Sequence, residues 1–237
     1  MRIALLTTDN PPAAQYAKTI AGAFDLCGIV VREQLPALPF ETAHELDGQQ
    51  TDIETQTWFG GKLPPLSDFA PVTAVPDMIS GEATEAVKAL NPDVLVAAGA
   101  GALSDDVINT AGAQAIALHA GDPEDYRGED THLWSVYHGD VARLKAIVQY
   151  ADADVNAGAV LLNTPPVLPP DLPLAALRMA VVDVCAVGAL KTLGFFDSGG
   201  MLTVNHLQRM GKVYTAMPSV VKGYCIEQFA RRADAAG

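Results

Sequence analysis

Short, uninterrupted apolar runs constrain this chain more than any other feature. They occupy residues 3–6, 27–31, 94–98 and 115–118. A run of four or five apolar residues bounded by turn signals is what a strand buried on both faces leaves in a sequence. After the first run, Thr7 to Pro12 form a turn containing a helix start. Ala13, Ala17, Ile20, Ala21 and Phe24 then fall at helical spacing, and the second run follows. This strand–helix–strand order predicts parallel strands joined by a right-handed crossover. The fold class expected is α/β, a mostly parallel twisted sheet with helices on both faces.

The rest of the chain extends that pattern. Residues 33–69 are polar and weakly periodic, with part of the segment open to a helical reading, and within them Trp58 and Phe59 stand beside Gly60 and Gly61. That aromatic pair reads as a locally buried loop anchor before it reads as a lid. Residues 71–75 predict a strand and 82–90 a helix, stopped by Asn91 and Pro92. Ser104 with Asp105 and Asp106 predicts another helix start. Residues 131–137 predict a helix, and 144–150 and 159–162 predict strands. A proline-rich connector at 164–173 precedes a long apolar helix at 174–193 and a terminal helix at 222–232. A main domain over 1–196 with an extension at 197–237 packed on it is the division expected.

Charge and cysteine content exclude several functions. With 15 basic and 28 acidic side chains the net charge is −13. A nucleic-acid partner or an anionic membrane surface would call for a basic face instead. Cys27, Cys185 and Cys225 are far apart, so neither a disulfide framework nor a zinc site is expected, which suits a reducing cytoplasm. The first apolar run is too short for a signal peptide, and no uninterrupted apolar stretch reaches the about 18 residues of a membrane span. The loop after the first run has no glycine to admit a pyrophosphate, so NAD or FAD binding by the usual route is not expected.

The stretch with the most chemistry runs from Gln114 to Gly158. Its apolar run ends on His119, at the point where a strand leaves the sheet. Tyr126, Arg127 and Gly128 follow, and the segment closes on Asp152, Ala153, Asp154, Val155, Asn156, Ala157 and Gly158. This order resembles the folate-dependent formyltransferase family, whose pattern runs Asn-x-His, then Tyr-Arg-Gly, then Asp-x-Gly. The upstream order around residues 91–118 extends the resemblance, which covers about residues 1–162. Ala117 stands in place of the asparagine and Asn156 in place of the aspartate. The family's purine-pathway members also carry a glycine-rich turn where this chain has Thr7 to Pro12. Its tRNA-modifying members add a second, basic domain, so they are not the relatives expected for an acidic chain.

The resemblance implies transfer of a formyl group from 10-formyltetrahydrofolate to an amine of a small molecule, such as an amino-sugar nucleotide or an amino-acid derivative. His119 would be the acid–base group, oriented by Asn156, with Asp154 (or Asp122 or Asp152) supplying the missing carboxylate. Gly99, Ala100 and Gly101 would line the folate pocket with Asp152 and Val155. Loss of one oxyanion donor costs about 10²–10³ in rate. An Asp-to-Asn change beside a catalytic histidine costs roughly 10⁴ in a serine-protease triad. Three readings therefore stay open: compensation by a nearby carboxylate, other chemistry such as hydrolysis in the same pocket, or a fold that has lost catalysis and binds folate or supports a partner. A homodimer also stays open. Tyr126 to Gly128 are expected to fix the turn after His119, with Arg127 paired to backbone or a carboxylate. Trp134 and Tyr137 are expected in the core, and His132, His138 and His206 at the surface or in helix packing, with no metal. Gln149 lies near a position where many family members carry a histidine.

Overall fold

A computed structural model describes residues 1–34, 36–111, 114–200 and 202–235. Leu35 and Met201, which fall within the expected 33–69 segment and C-terminal extension, lie outside the described residues, as do the last two residues of that extension. The N-terminal half alternates as the apolar runs require: β1 (Arg2–Thr7), α1 (Pro11–Ala21), β2 (Asp25–Arg32), α2 (Glu45–Phe59), β3 (Val72–Val75), α3 (Gly81–Leu90), β4 (Val94–Ala98), α4 (Asp105–Ile108) and β5 (Ala115–Ala120). These five strands are parallel, in the order β3-β2-β1-β4-β5. Next come β6 (Tyr126–Gly128), α5 (Thr131–Tyr137), β7 (Ala146–Tyr150), β8 (Val160–Thr164), α6 (Leu177–Asp197), β9 (Lys212–Tyr214) and α7 (Ser219–Ala235). Antiparallel pairing adds β7 to β5 and β8 to β7, which completes a seven-stranded sheet. The fold class is α/β with a mostly parallel sheet.

Each strand divides its side chains between two cores, because successive residues point to opposite faces. Ile3, Leu5, Ile29, Val94, Val96, Ile116, Leu118 and Val148 meet α1 and α6 on one face. Ala4, Leu6, Val30, Leu95, Ala97 and Ala115 meet Ala83 and Val87 of α3 and Val107 of α4 on the other. Both faces are covered, so the strands read as continuous apolar runs rather than alternating ones. Asn10 caps α1 by accepting from the Ala13 N–H at 2.9 Å, ahead of the two prolines that open the helix.

The α6 helix is long and apolar enough to cross a membrane. Here Leu177, Val181, Cys185, Ala186, Ala189 and Leu193 are buried in the core beside the sheet. A 3₁₀ turn at Leu174–Ala176 leads into it, and it runs past the expected end at 193 to Asp197. The terminal segment is woven into the fold: β9 pairs in parallel with β6, and α7 packs on α5.

Helix α2 is the main element that sequence periodicity does not show. Its inward positions are Leu46, Gln50, Glu54 and Trp58, four residues apart, and the middle two are polar. Each polar one has a partner. Gln50 meets His132 at 3.3 Å, Arg178 grips Glu54 through two 2.7 Å bonds, and Trp58 donates to Asp183 at 2.8 Å. Trp58 is thus a buried anchor, on a helix rather than on the expected loop.

Candidate functional site

His119 sits near the C-terminal end of β5, on the face that also carries Ala115 and Ala117. It is buried, and its Nε2 lies 2.7 Å from the Tyr126 carbonyl oxygen. A carbonyl can only accept, so Nε2 carries the proton and Nδ1 keeps its lone pair. Burial pushes the imidazole down to about 4. The Tyr126 carbonyl and the Asp122 charge pull it upward less strongly, and Arg127 pushes it further down. The ring is therefore neutral at pH 7.

Across the ladder, His119 faces Ile147 and Ala117 faces Gln149. Gln149 is fully buried on β7, and neither its amide nitrogen nor its amide oxygen has a partner among the described residues. Directly opposed residues in an antiparallel pair bring their Cβ atoms to about 5 Å. The Gln149 side chain thus stands opposite a methyl group, two register steps from His119. An unpaired buried amide costs about 1–3 kcal/mol, so an arrangement that keeps one needs a reason. The signal in the sequence was a lone amide within an otherwise buried strand.

The sequence placed Asn156, Asp154 and Asp152 in support of His119, and none of them hydrogen-bonds to it. Arg127 holds Asp154 instead, and the other two bond to neighbouring backbone. Its buried guanidinium donates to Asp154 Oδ2 at 3.0 Å, the Val155 carbonyl at 3.2 Å and the Gly211 carbonyl at 2.9 Å. Asn156 Oδ1 accepts from the Gly128 N–H at 3.0 Å. Asp152 Oδ1 accepts from the Asp154 N–H at 2.9 Å. The Asp122 carboxylate is held by Lys145 at 2.7 Å. An extended 152–158 segment would have aimed Asp154 and Asn156 the same way. The segment is instead folded by the Asp152 turn, with Asn156 in the left-handed region at φ 55°. Gly158 closes it against the sheet: a Cβ there would stand 1.8 Å from the Tyr150 carbonyl oxygen.

Gly99, Ala100 and Gly101 leave the C-terminal end of β4, and β4 pairs with β5 through Ala98 and Leu118. The loop and His119 therefore share one edge of the sheet, the edge where ligands of open α/β sheets bind. Gly99 and Gly101 have φ of 66° and 79°, which a side chain would disfavour. Gly99 is exposed and Ala100 is buried.

Other expected residues lie elsewhere. Trp134, Tyr137, His138, Tyr126 and Tyr214 form an aromatic cluster. Tyr137 is exposed rather than in the core. A cavity of about 510 Å³ beside the cluster is lined by Asp125, Tyr126, His138, Gly139, Asp140 and Tyr214, and His119 is not among its lining residues. No group of three His, Cys, Asp or Glu among the described residues could hold a metal.

His119 and His132 make stability depend on pH. Burial lowers both to about 4, from an ordinary 6.5. Above 6.5 their contribution is fully present. It is lost as pH falls toward 4, because the unfolded chain binds protons that the folded chain refuses. The loss is on the order of 3 kcal/mol per imidazole. Urea unfolding at pH 7 and pH 4.5 checks this: His132→Gln should lose less stability on acidification than the wild type, and an equal loss would refute the assignment.

No family model matches the sequence, and no curated protein matches it. Solved structures do match. A sugar N-formyltransferase from Shewanella sp FDAARGOS_354 aligns with a TM-score of 0.60 at 10% identity, over 97% of this chain and 87% of that one. Glycinamide ribonucleotide transformylase 1 from Symbiobacterium toebii aligns with a TM-score of 0.58 at 15% identity, over 88% and 94%. The formyltransferase PseJ from Anoxybacillus kamchatkensis, solved with UDP-4,6-dideoxy-4-formamido-L-AltNAc and tetrahydrofolate, aligns with a TM-score of 0.55 at 12% identity, over 91% and 86%. At these identities it is architecture that is shared, and the fold of this chain is that of the formyltransferases.

Proposed function

We propose that the chain moves a formyl group from 10-formyltetrahydrofolate to an amine of a small molecule, with His119 as the acid–base group. The observation that carries this reading is a neutral buried imidazole with an unpartnered buried carboxamide two register steps away on the same face of the sheet. Formyl transfer needs a group that takes and returns a proton and a donor for the oxyanion. As the amine nitrogen attacks, the new C–N bond forms and the carbonyl oxygen takes the electron pair. The Gln149 N–H supplies that oxygen with the donor that the Ala117 side chain cannot. His119 Nδ1 accepts the amine proton. The bond from the formyl carbon to the folate nitrogen then breaks, and the same proton goes to that nitrogen. A group held near 4 is a weak base but a strong acid, so His119 suits the second half of this sequence better than the first. Gly99 to Gly101, Asp152 and Val155 would face the folate, and the acceptor would be a small amine.

A second reading has its own support. No carboxylate hydrogen-bonds to His119 among the described residues, so nothing of that kind steadies an imidazolium. A protein that binds folate without transferring the formyl group fits that feature. Calorimetry with a stable 10-formyltetrahydrofolate analogue, followed by a single-turnover assay on a panel of amino sugars and amino acids, separates the two. Binding with formyl transfer supports the enzyme, and binding without turnover supports the second reading. Absence of binding to the wild type would refute both.

A further inference from the structure

We infer that the C-terminal edge of the sheet carries an anion-binding site centred on Arg32, built for the carboxylate or phosphate of a small molecule. Arg32 is the last residue of β2, and its side chain is only 9% exposed. A guanidinium has five N–H groups in a rigid planar fork. Among the described residues it meets one acceptor, Glu129 Oε1, at 3.4 Å, and the Glu129 side chain is itself 41% exposed. Nε is buried with no partner among the described residues.

The chain treats its other sequestered cations differently. Arg127 has three acceptors within 3.2 Å, Lys222 reaches the Thr42 carbonyl and both Asp47 oxygens, and Arg178 grips Glu54 with two bonds. A desolvated charge left this open is costly unless something completes its shell. The fork geometry matches a carboxylate or phosphate held by two parallel bonds.

Position supports the same conclusion. Val31, Thr7, Ala98 and Leu118 are successive register partners across β2, β1, β4 and β5. Arg32 and His119 each follow one residue later, on the face shared with Val30 and Ala117. Three strand spacings of about 4.8 Å put them roughly 14 Å apart along one edge. Gly101 makes the room: a Cβ there would lie 2.2 Å from Arg32 Nη1. A small molecule with its reacting group near His119 could thus rest an anionic end on Arg32. The site does not depend on formyl transfer, since an anion can bind whatever the chemistry at His119.

The test is thermal unfolding of the full chain at fixed pH and ionic strength, with chloride replaced stepwise by inorganic phosphate or by succinate. The wild type should show a saturable rise in Tm of several degrees with at least one of them. The anion that saturates at lower concentration distinguishes phosphate from carboxylate. Arg32→Met should give a flat response, and without the anion its Tm should equal or exceed that of the wild type, because a buried charge with a single distant partner has been removed. Glu129→Gln should bind the anion several-fold more tightly, since a competing carboxylate is gone. Equal responses in wild type and Arg32→Met, no saturable response in the wild type, or an Arg32→Met that fails to fold would each overturn the proposal. The last outcome would make the guanidinium a structural pair.

Discussion

His119→Asn is expected to lower the single-turnover rate of formyl transfer by about 10²–10⁴ while changing folate-analogue affinity much less. The asparagine can keep a donor near the Tyr126 carbonyl, which His119 now satisfies at 2.7 Å, but it cannot shuttle a proton. Gln149→Leu is the companion variant. Under the proposed mechanism it removes the oxyanion donor and costs about 10²–10³ in rate. Its effect on stability should run the other way. Both polar atoms of Gln149 lack partners, so leucine, similar in volume and apolar, should leave the fold as stable or more so. A Gln149→Leu protein that is active but destabilised would mean the amide is structural, and that role would have to be withdrawn. An unaffected rate in His119→Asn would end the acid–base assignment. Measuring both variants by calorimetry and urea unfolding keeps lost binding, lost chemistry and lost folding distinct.

Arg178→Ala is expected to cost about 3–5 kcal/mol in stability, which for a chain of this length means roughly 6–20 °C in Tm. Glu54 has no exposed side-chain surface, and Arg178 meets both of its oxygens at 2.7 Å. Removing the arginine leaves a carboxylate in a place that water does not reach. The penalty should shrink as pH falls, since the stranded carboxyl is protonated more easily in the folded state than in the unfolded one. The double variant Glu54→Leu with Arg178→Met should recover most of the loss, because a well-packed apolar pair can replace a buried ion pair at little cost. Chemical denaturation of the wild type and the two variants at pH 7 and pH 5 decides the matter. A single variant within about 1 kcal/mol of wild type would show that solvent enters beside α2 and relieves the charge.

How much of this molecule the sequence disclosed depends on the range of the interactions involved. Residues 3–6, 27–31 and 94–98 announced β1, β2 and β4, because a strand covered on both faces must be apolar at every position. The turn at residues 7–12 and Ser104 announced helix starts, since a cap is settled within three residues of chain. The spacing of His119, Tyr126 to Gly128 and Gly158 was enough to identify the formyltransferase architecture. Helix α2 was legible only as a partly helical stretch without bounds, because Gln50 and Glu54 interrupt its inward face, and Gln50, Glu54 and Trp58 find partners more than eighty residues away. The short β6–β9 ladder stayed hidden for the same reason, since Tyr126 pairs with Lys212 from the far end of the chain.

The site divides along the same line. The sequence placed His119 at a strand end, and the family resemblance placed Gly99 to Gly101 in the same pocket; the pairing of β4 with β5 sets them on one edge. Only the folded chain decided what those residues touch. Arg127, a buried charge that must be satisfied, takes Asp154 and Val155 for itself, and Asn156 turns to Gly128. The sheet register sets Gln149 opposite Ala117 and aligns Arg32 with His119 along one edge. Local chain chemistry fixes the elements, but which polar groups are paired and which are left open is decided by contacts that exist only after the strands have been laid side by side.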